Sequence, residues 1–151
     1  TEEGTGTTFT LYFPISRSDW QAFPTIRIDD YLGNGESILI VDDAPEQRDL
    51  TRRMMQRLGY RAETAASGEI AVSMVAEKDY DLLILDMIMP AMSRSELYDH
   101  LKAIDPEVKT LLSSGYSIDG QAAEILKSGC NGFIQKPFTL DAISQKIREI
   151  I

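Results

Sequence analysis

The chain has 151 residues, 43% of them apolar and 26% charged, an ordinary globular composition with enough length to bury one core. Its formal net charge of −9 argues against a nucleic-acid partner; the one basic grouping, Arg52, Arg53 and Arg57, has Glu46 and Asp49 beside it and suits a solvated helix face. Cys130 is the only cysteine, which excludes an intrachain disulfide or a cysteine zinc cluster, and no apolar run reaches the length of a membrane span or follows a signal-peptide pattern.

In chain order, Phe9, Leu11 and Phe13 alternate with Thr8, Thr10 and Tyr12 and predict a half-buried strand ended by Pro14. Residues 15–36 are aperiodic, carry Pro24, Gly33 and Gly35, and predict a linker. A lone strand cannot bury its own apolar face. Residues 1–14 therefore look like the last strand of another domain, and an open edge over residues 7–13 invites self-association.

From Ser37 the pattern changes. Ser37–Val41 reads as a continuous apolar strand, followed by a helix from Pro45 to Leu58. Pro45 suits its first turn, Gly59 suits a left-handed cap, and Leu50, Met54 and Leu58 form the expected buried stripe. Arg61–Ala65 is a weaker strand, and Ser67 caps a helix running to Glu77. Residues 81–86 carry Leu-Leu-Ile-Leu-Asp, a strand buried on both faces. Ser93 and Glu96 form a capping box that opens a helix to Ile104. A strand over Val108–Ser113, a helix over Ile118–Ser128, a strand over Gly132–Gln135 and a helix over Leu140–Ile151 complete the pattern. Such alternation predicts an α/β fold: a doubly wound parallel sheet with helices on both faces and a ligand crevice at the carboxyl ends of the strands.

The reactive side chains fall at those ends. Asp42 and Asp43 end the first strand, Asp86 the third, Ser114 follows the fourth and Lys136 the fifth. Clustered carboxylates need a compensating cation. An all-oxygen set calls for a hard ion, for which Mg²⁺ fits best. Lys136 adds a second positive charge and Ser114 a hydroxyl donor, while Asp86 is the best nucleophile for forming an acyl phosphate.

Residues 37–151 resemble a two-component receiver domain. The resemblance rests on Asp42-Asp43, on Leu-Asp86-Met-Ile-Met-Pro90, on Ser114-Gly115 and on Lys136-Pro137-Phe138. It implies a flavodoxin-like sheet of order 2-1-3-4-5 and a phosphorelay module that takes phosphate from a phosphohistidine onto Asp86. It further implies Mg²⁺ held by Asp43, Asp86 and the Ile88 carbonyl with help from Asp42, and phosphoryl contacts from Ser114 and Lys136. Phe133 matches the aromatic position that changes rotamer on activation; the other reading is a plain core phenylalanine. Ser113 competes with Ser114 for the hydroxyl role, although Gly115 and the 22-residue spacing to Lys136 favour Ser114. Ala91 and Arg94 stand where the family often has glycines. Ile88 and Tyr116 flank the expected path of hydrolytic water, so slow loss of phosphate is expected.

Gly4-Thr-Gly-Thr-Thr-Phe9 with Phe13-Pro14 resembles the closing strand of a histidine-kinase ATP-binding domain, which implies a hybrid histidine kinase cut near its C-terminus. His100 stands alone on a helix, so the chain by itself is expected to be a phosphoacceptor without a kinase core. The expected partner is that kinase core or a histidine phosphotransfer protein. Neither nucleic acid nor membrane contact is expected of this segment, and no DNA-binding output is expected beyond residue 151. The compartment would be the cytoplasm, with any membrane anchor left to the parent. The alternative is a receiver-fold interaction module that is never phosphorylated. An aspartate-nucleophile hydrolase is disfavoured because Ile88 stands where that chemistry wants a second acid.

Overall fold

The computed structural model describes residues 4, 9–12, 32–87, 94–115 and 129–151. Five parallel strands form one sheet in the order β2-β1-β3-β4-β5, with β1 Ser37–Val41, β2 Arg61–Ala65, β3 Leu82–Asp86, β4 Thr110–Ser114 and β5 Gly132–Gln135. This is the order the resemblance implied. Three described helices join them, α1 Pro45–Arg57, α2 Gly68–Glu77 and α3 Arg94–Ile104, and a C-terminal helix spans Leu140–Ile150.

Strand side chains alternate between faces, and the sheet divides the core accordingly. Leu39, Val41, Leu83, Leu85 and Leu112 face α2 and α3 through Ala71, Val75, Leu97 and Leu101. Ile38, Ile40, Leu82, Ile84, Leu111 and Ile134 meet Met55 and Leu58 of α1 and Ile143 and Ile147 of the C-terminal helix. Both layers are needed because β1 and β3 are apolar at successive positions. Each fully buried Leu or Ile contributes about 1.5–3 kcal/mol relative to exposure.

Local chemistry sets the helix ends. Pro45 occupies the first turn of α1, and Gly59, at φ +88°, supplies the left-handed residue after it. Ser67 Oγ accepts from the Ile70 N–H, and Thr139 Oγ1 from the Ala142 N–H. The Thr139 cap was not foreseen.

Several expectations need correction or fall outside the described residues. The buried stripe of α1 is Thr51, Met55 and Leu58 rather than Leu50, Met54 and Leu58: Leu50 is 61% exposed and Met54 half-buried. Two adjacent apolar series run along this helix about 100° apart, and the one with the hydroxyl faces the sheet. Strand β4 runs from Thr110 to Ser114, displaced from 108–113. The chain turns just before it: the Val108 N–H bonds the Asp105 carbonyl, and the Val108 carbonyl accepts from Lys102 Nζ. Residues 9–12 form no strand, and Phe9, Leu11 and Tyr12 are largely exposed, as a strand without a sheet partner must be. The helix expected over 118–128 lies outside the described residues, as do Ser93 of the capping box, Ile88, Ala91 and Tyr116.

The end of the expected linker is docked. The Gly33 N–H donates to the Leu58 carbonyl at 2.7 Å, and a Cβ on Gly33 would lie 2.3 Å from the Tyr60 ring, so only glycine fits there. His100 is exposed, as anticipated.

Candidate functional site

Parallel pairing of β1 with β3 in register, Val41 opposite Leu85, brings the residues after both strands to one rim. Asp42, the first residue beyond β1, is buried. Its N–H reaches back to the Ala65 carbonyl at 3.2 Å, Oδ1 accepts from the Ala44 N–H at 2.9 Å, and Oδ2 accepts from Lys136 Nζ at 2.7 Å. Asp43 is exposed, and Asp86, the last residue of β3, is half-buried. One carboxylate oxygen from each of the three aspartates lies within 4.8 Å of the others.

Lys136 enters from the far side of the sheet. Strand β5 ends at Gln135, the Lys136 N–H bonds the Ser114 carbonyl at 2.6 Å, and the Lys136–Pro137 peptide is cis. From there Nζ reaches both Asp42 and Asp86, lying 3.2 Å from Asp86 Oδ2. These side chains are 14% (Lys136), 5% (Asp42) and 13% (Asp86) exposed, so solvent screens the pairs little. One ammonium thus offsets part of the repulsion among three carboxylates and leaves Asp43 facing solvent.

The two serines of β4 occupy different positions. Ser113 is the register partner of Asp86; its Oγ donates to the Leu85 carbonyl at 3.3 Å, and its carbonyl accepts from the Met87 N–H. Ser114 lies one residue nearer the rim and is buried. Pairing of Leu112 with Phe133 and of Ser114 with Gln135 puts Ser114 and Phe133 on one sheet face, where Phe133 packs half-buried against the α2–α3 layer.

Arg48 is a contributor the sequence reading missed. Its Nη1 donates to the Asp42 carbonyl at 2.6 Å and to the Asp43 carbonyl at 3.3 Å. The available signal was its position one turn into a helix that begins directly after the acidic pair. An open groove of about 430 Å³ adjoins the site, with Leu50, Met54, Pro137 and Phe138 as its apolar lining and Lys136 at its edge. Among the described residues no helix is long and apolar enough to cross a membrane.

Chemically, three oxygen ligands in a partly desolvated pocket suit a small hard cation, and a carboxylate beside an ammonium suits attack on an anionic electrophile. Residues 38–148 match the model of the response regulator receiver domain family. The sensor protein EvgS of Escherichia coli K12 is 34% identical over 152 residues, covering 97% of this chain and 12% of that protein. Sporulation initiation phosphotransferase F of Bacillus subtilis strain 168 is 30% identical over 116 residues, covering 77% of this chain and 94% of that one. Among solved structures, the Thermotoga maritima response regulator TrrA in complex with Mg²⁺ and BeF has a TM-score of 0.69 at 28% identity, covering 77% of this chain and 99% of its own. The receiver domain of the Pseudomonas aeruginosa sensor histidine kinase PA1611, with a magnesium ion in its active-site cleft, has a TM-score of 0.70 at 24% identity, covering 77% and 97%. The chain spans only 12% of EvgS and 17% of the Brucella abortus sensor kinase CckA. A five-stranded sheet in this order, bearing its acidic cluster at the carboxyl rim and matched over most of its length, places the chain in the response regulator receiver domain family of two-component systems.

Proposed function

We propose that Asp86 is the phosphoacceptor of this receiver and takes its phosphoryl group from a phosphohistidine. The observation that carries this reading is the Lys136 ammonium 3.2 Å from Asp86 Oδ2, beside a three-carboxylate cluster. A carboxylate oxygen of Asp86 attacks phosphorus in line; the new O–P bond forms as the donor's P–N bond breaks, and the electron pair of that bond stays on the imidazole nitrogen. Lys136 holds positive charge where phosphoryl oxygens arrive, and Ser114 donates a hydrogen bond to one of them. Asp42, fixed by Ala44 and Lys136, and Asp43, open to solvent, complete the pocket. These carboxylates with Asp86 suit Mg²⁺, to which the receiver resemblance would add the Ile88 carbonyl, and when bound the ion would neutralise charge on the phosphoryl oxygens. Phosphorylation adds charge beside Ser114, and the repacking of Phe133 on the same sheet face carries the signal to partners.

The partner is a histidine-bearing kinase core or phosphotransfer protein. It must seat its imidazole against Asp86, and the groove lined by Leu50, Met54, Pro137 and Phe138 offers apolar area beside the site. Alignment with EvgS and CckA over 97% and 99% of this chain takes in residues before the receiver and supports a hybrid sensor kinase as the parent. In that parent, residues 1–14 would be the closing strand of the ATP-binding domain and residues 15–36 a linker.

Labelled phosphohistidine donor, incubated with Mg²⁺ and either the wild type or Asp86→Asn, tests the reading. Label should pass to the wild type and not to the variant. Equal labelling of both would assign the phosphate elsewhere, and a wild type that takes no label would favour an interaction module that is never phosphorylated.

A further inference from the structure

We propose that Arg48 is a positioning residue for the divalent-cation pocket, acting on the backbone of the acidic pair rather than on the ion. The inference rests on the reading of Asp42, Asp43 and Asp86 as cation ligands.

The turn between β1 and α1 carries two of the three carboxylates, yet it lacks the usual lock. The N-cap of α1 is Ala44, whose side chain makes no capping bond. Two other ties hold the turn. Asp42 Oδ1 accepts from the Ala44 N–H, and Arg48 folds back so that Nη1 bridges the carbonyls of Asp42 and Asp43 at 2.6 and 3.3 Å. The Arg48 N–H also continues the helix to the Ala44 carbonyl at 3.0 Å. Arg48 is thus joined to this turn through both its main chain and its side chain, and the short segment from Asp42 to Arg48 is closed on itself.

The consequence differs for the two aspartates. Asp42 has its carboxylate fixed directly, one oxygen on Ala44 and the other on Lys136. Asp43 is exposed, so the set of its peptide plane governs where its carboxylate points. Arg48 grips that plane through the carbonyl. A half-buried guanidinium with a planar donor fork suits this task better than a flexible ammonium.

Charge and position make opposite predictions. A cation beside an acidic cluster repels an incoming divalent ion, so if Arg48 acted by charge alone, removing it would tighten Mg²⁺ binding. If it acts by holding the ligands' backbone, removing it weakens binding.

The test is calorimetric titration of the full chain with MgCl₂ for wild type, Arg48→Met and Arg48→Lys, beside urea denaturation of each without metal. Arg48→Met, which loses charge and donors, should bind Mg²⁺ about tenfold more weakly, the scale seen when partners that orient metal ligands are lost. Arg48→Lys keeps the charge, but its shorter, flexible stem sets the ammonium back from the two carbonyls, and it should bind about threefold more weakly. In both, the Mg²⁺ concentration giving half-maximal phosphorylation should rise while the rate at saturating Mg²⁺ changes little. Either folded variant binding Mg²⁺ as tightly as wild type, or tighter, overturns the proposal. Should Arg48→Met fail to fold in the urea series, Arg48→Lys decides alone. A wild type that shows no saturable Mg²⁺ binding overturns the reading of the pocket itself, and the role of Arg48 with it.

Discussion

Lys136→Met removes one positive charge from the pocket while keeping most of the side chain's apolar volume. In the wild type, Nζ lies 2.7 Å from Asp42 and 3.2 Å from Asp86, and all three side chains are nearly buried, so the screened value for a surface pair does not apply. Without the ammonium, three carboxylates within 4.8 Å of one another lose a positive charge that touches two of them. At that separation each ionised pair repels by about 3.5 kcal/mol with an effective dielectric near 20. Breaking a buried pair by deleting one partner typically costs about 3–5 kcal/mol. Part of this is relieved by rotation of the exposed Asp43, so the expected loss at neutral pH is about 3 kcal/mol, or roughly 10 °C in Tm. Urea denaturation of wild type and variant, each with and without millimolar Mg²⁺, measures it. The difference should shrink when Mg²⁺ supplies the missing charge. A loss below about 1 kcal/mol, or one of equal size with and without Mg²⁺, would refute the view that Lys136 is the electrostatic keystone of this cluster.

The groove and the far side of the sheet carry two further predictions. Leu50→Glu changes an exposed residue and should alter stability by less than about 0.5 kcal/mol. It should slow transfer from a phosphohistidine protein about tenfold while leaving labelling by acetyl phosphate unchanged; equal rates from the protein donor would remove the groove from the docking surface. Burial and the hydrogen bond to Glu63 push the Tyr80 hydroxyl well above its ordinary pKa near 10. The folded state therefore keeps a proton that the unfolded chain loses, and this contribution is complete below pH 10 and declines as the pH rises further. Tyr80→Phe should flatten the alkaline fall in stability, and a variant whose stability falls as steeply as wild type would contradict the assignment.

Residues whose burial follows from the sheet itself were readable in the sequence. Leu83, Ile84 and Leu85 form an unbroken apolar run because a parallel strand covered on both faces has no polar side, and Asp86 at its end stands out as a charge that needs a reason. Helix α1 was harder. Leu50, Met54 and Leu58 make as good a stripe as Thr51, Met55 and Leu58, and hydrophobicity alone cannot say which is covered when an apolar groove lies beside the helix. Arg48 left no apolar or acidic signal, since its partners are carbonyls, and every residue has one of those. The register between Asp86 and Ser113 depends on how β3 and β4 pair, which no local pattern encodes.

The sheet order explains why this site uses a lysine and why small residues end β4. Neighbouring strands lie about 4.8 Å apart, so the end of β5, two strands from β3, lies roughly 10 Å from the Asp86 backbone. The long lysine stem spans that gap only by passing over the end of β4. Ser113 and Ser114 close that strand, and the Ser114 carbonyl anchors the Lys136 N–H at 2.6 Å just where the stem turns inward. A bulky apolar side chain at Ser113, which shares a sheet face with Asp86, would crowd that path, and a shorter cation from β5 would fall short of the carboxylates. Charge at the rim and hydroxyl residues at the end of β4 are therefore coupled requirements. The strand order imposes that coupling, and it joins residues 42, 86 and 136 into one pocket although they are scattered along the chain.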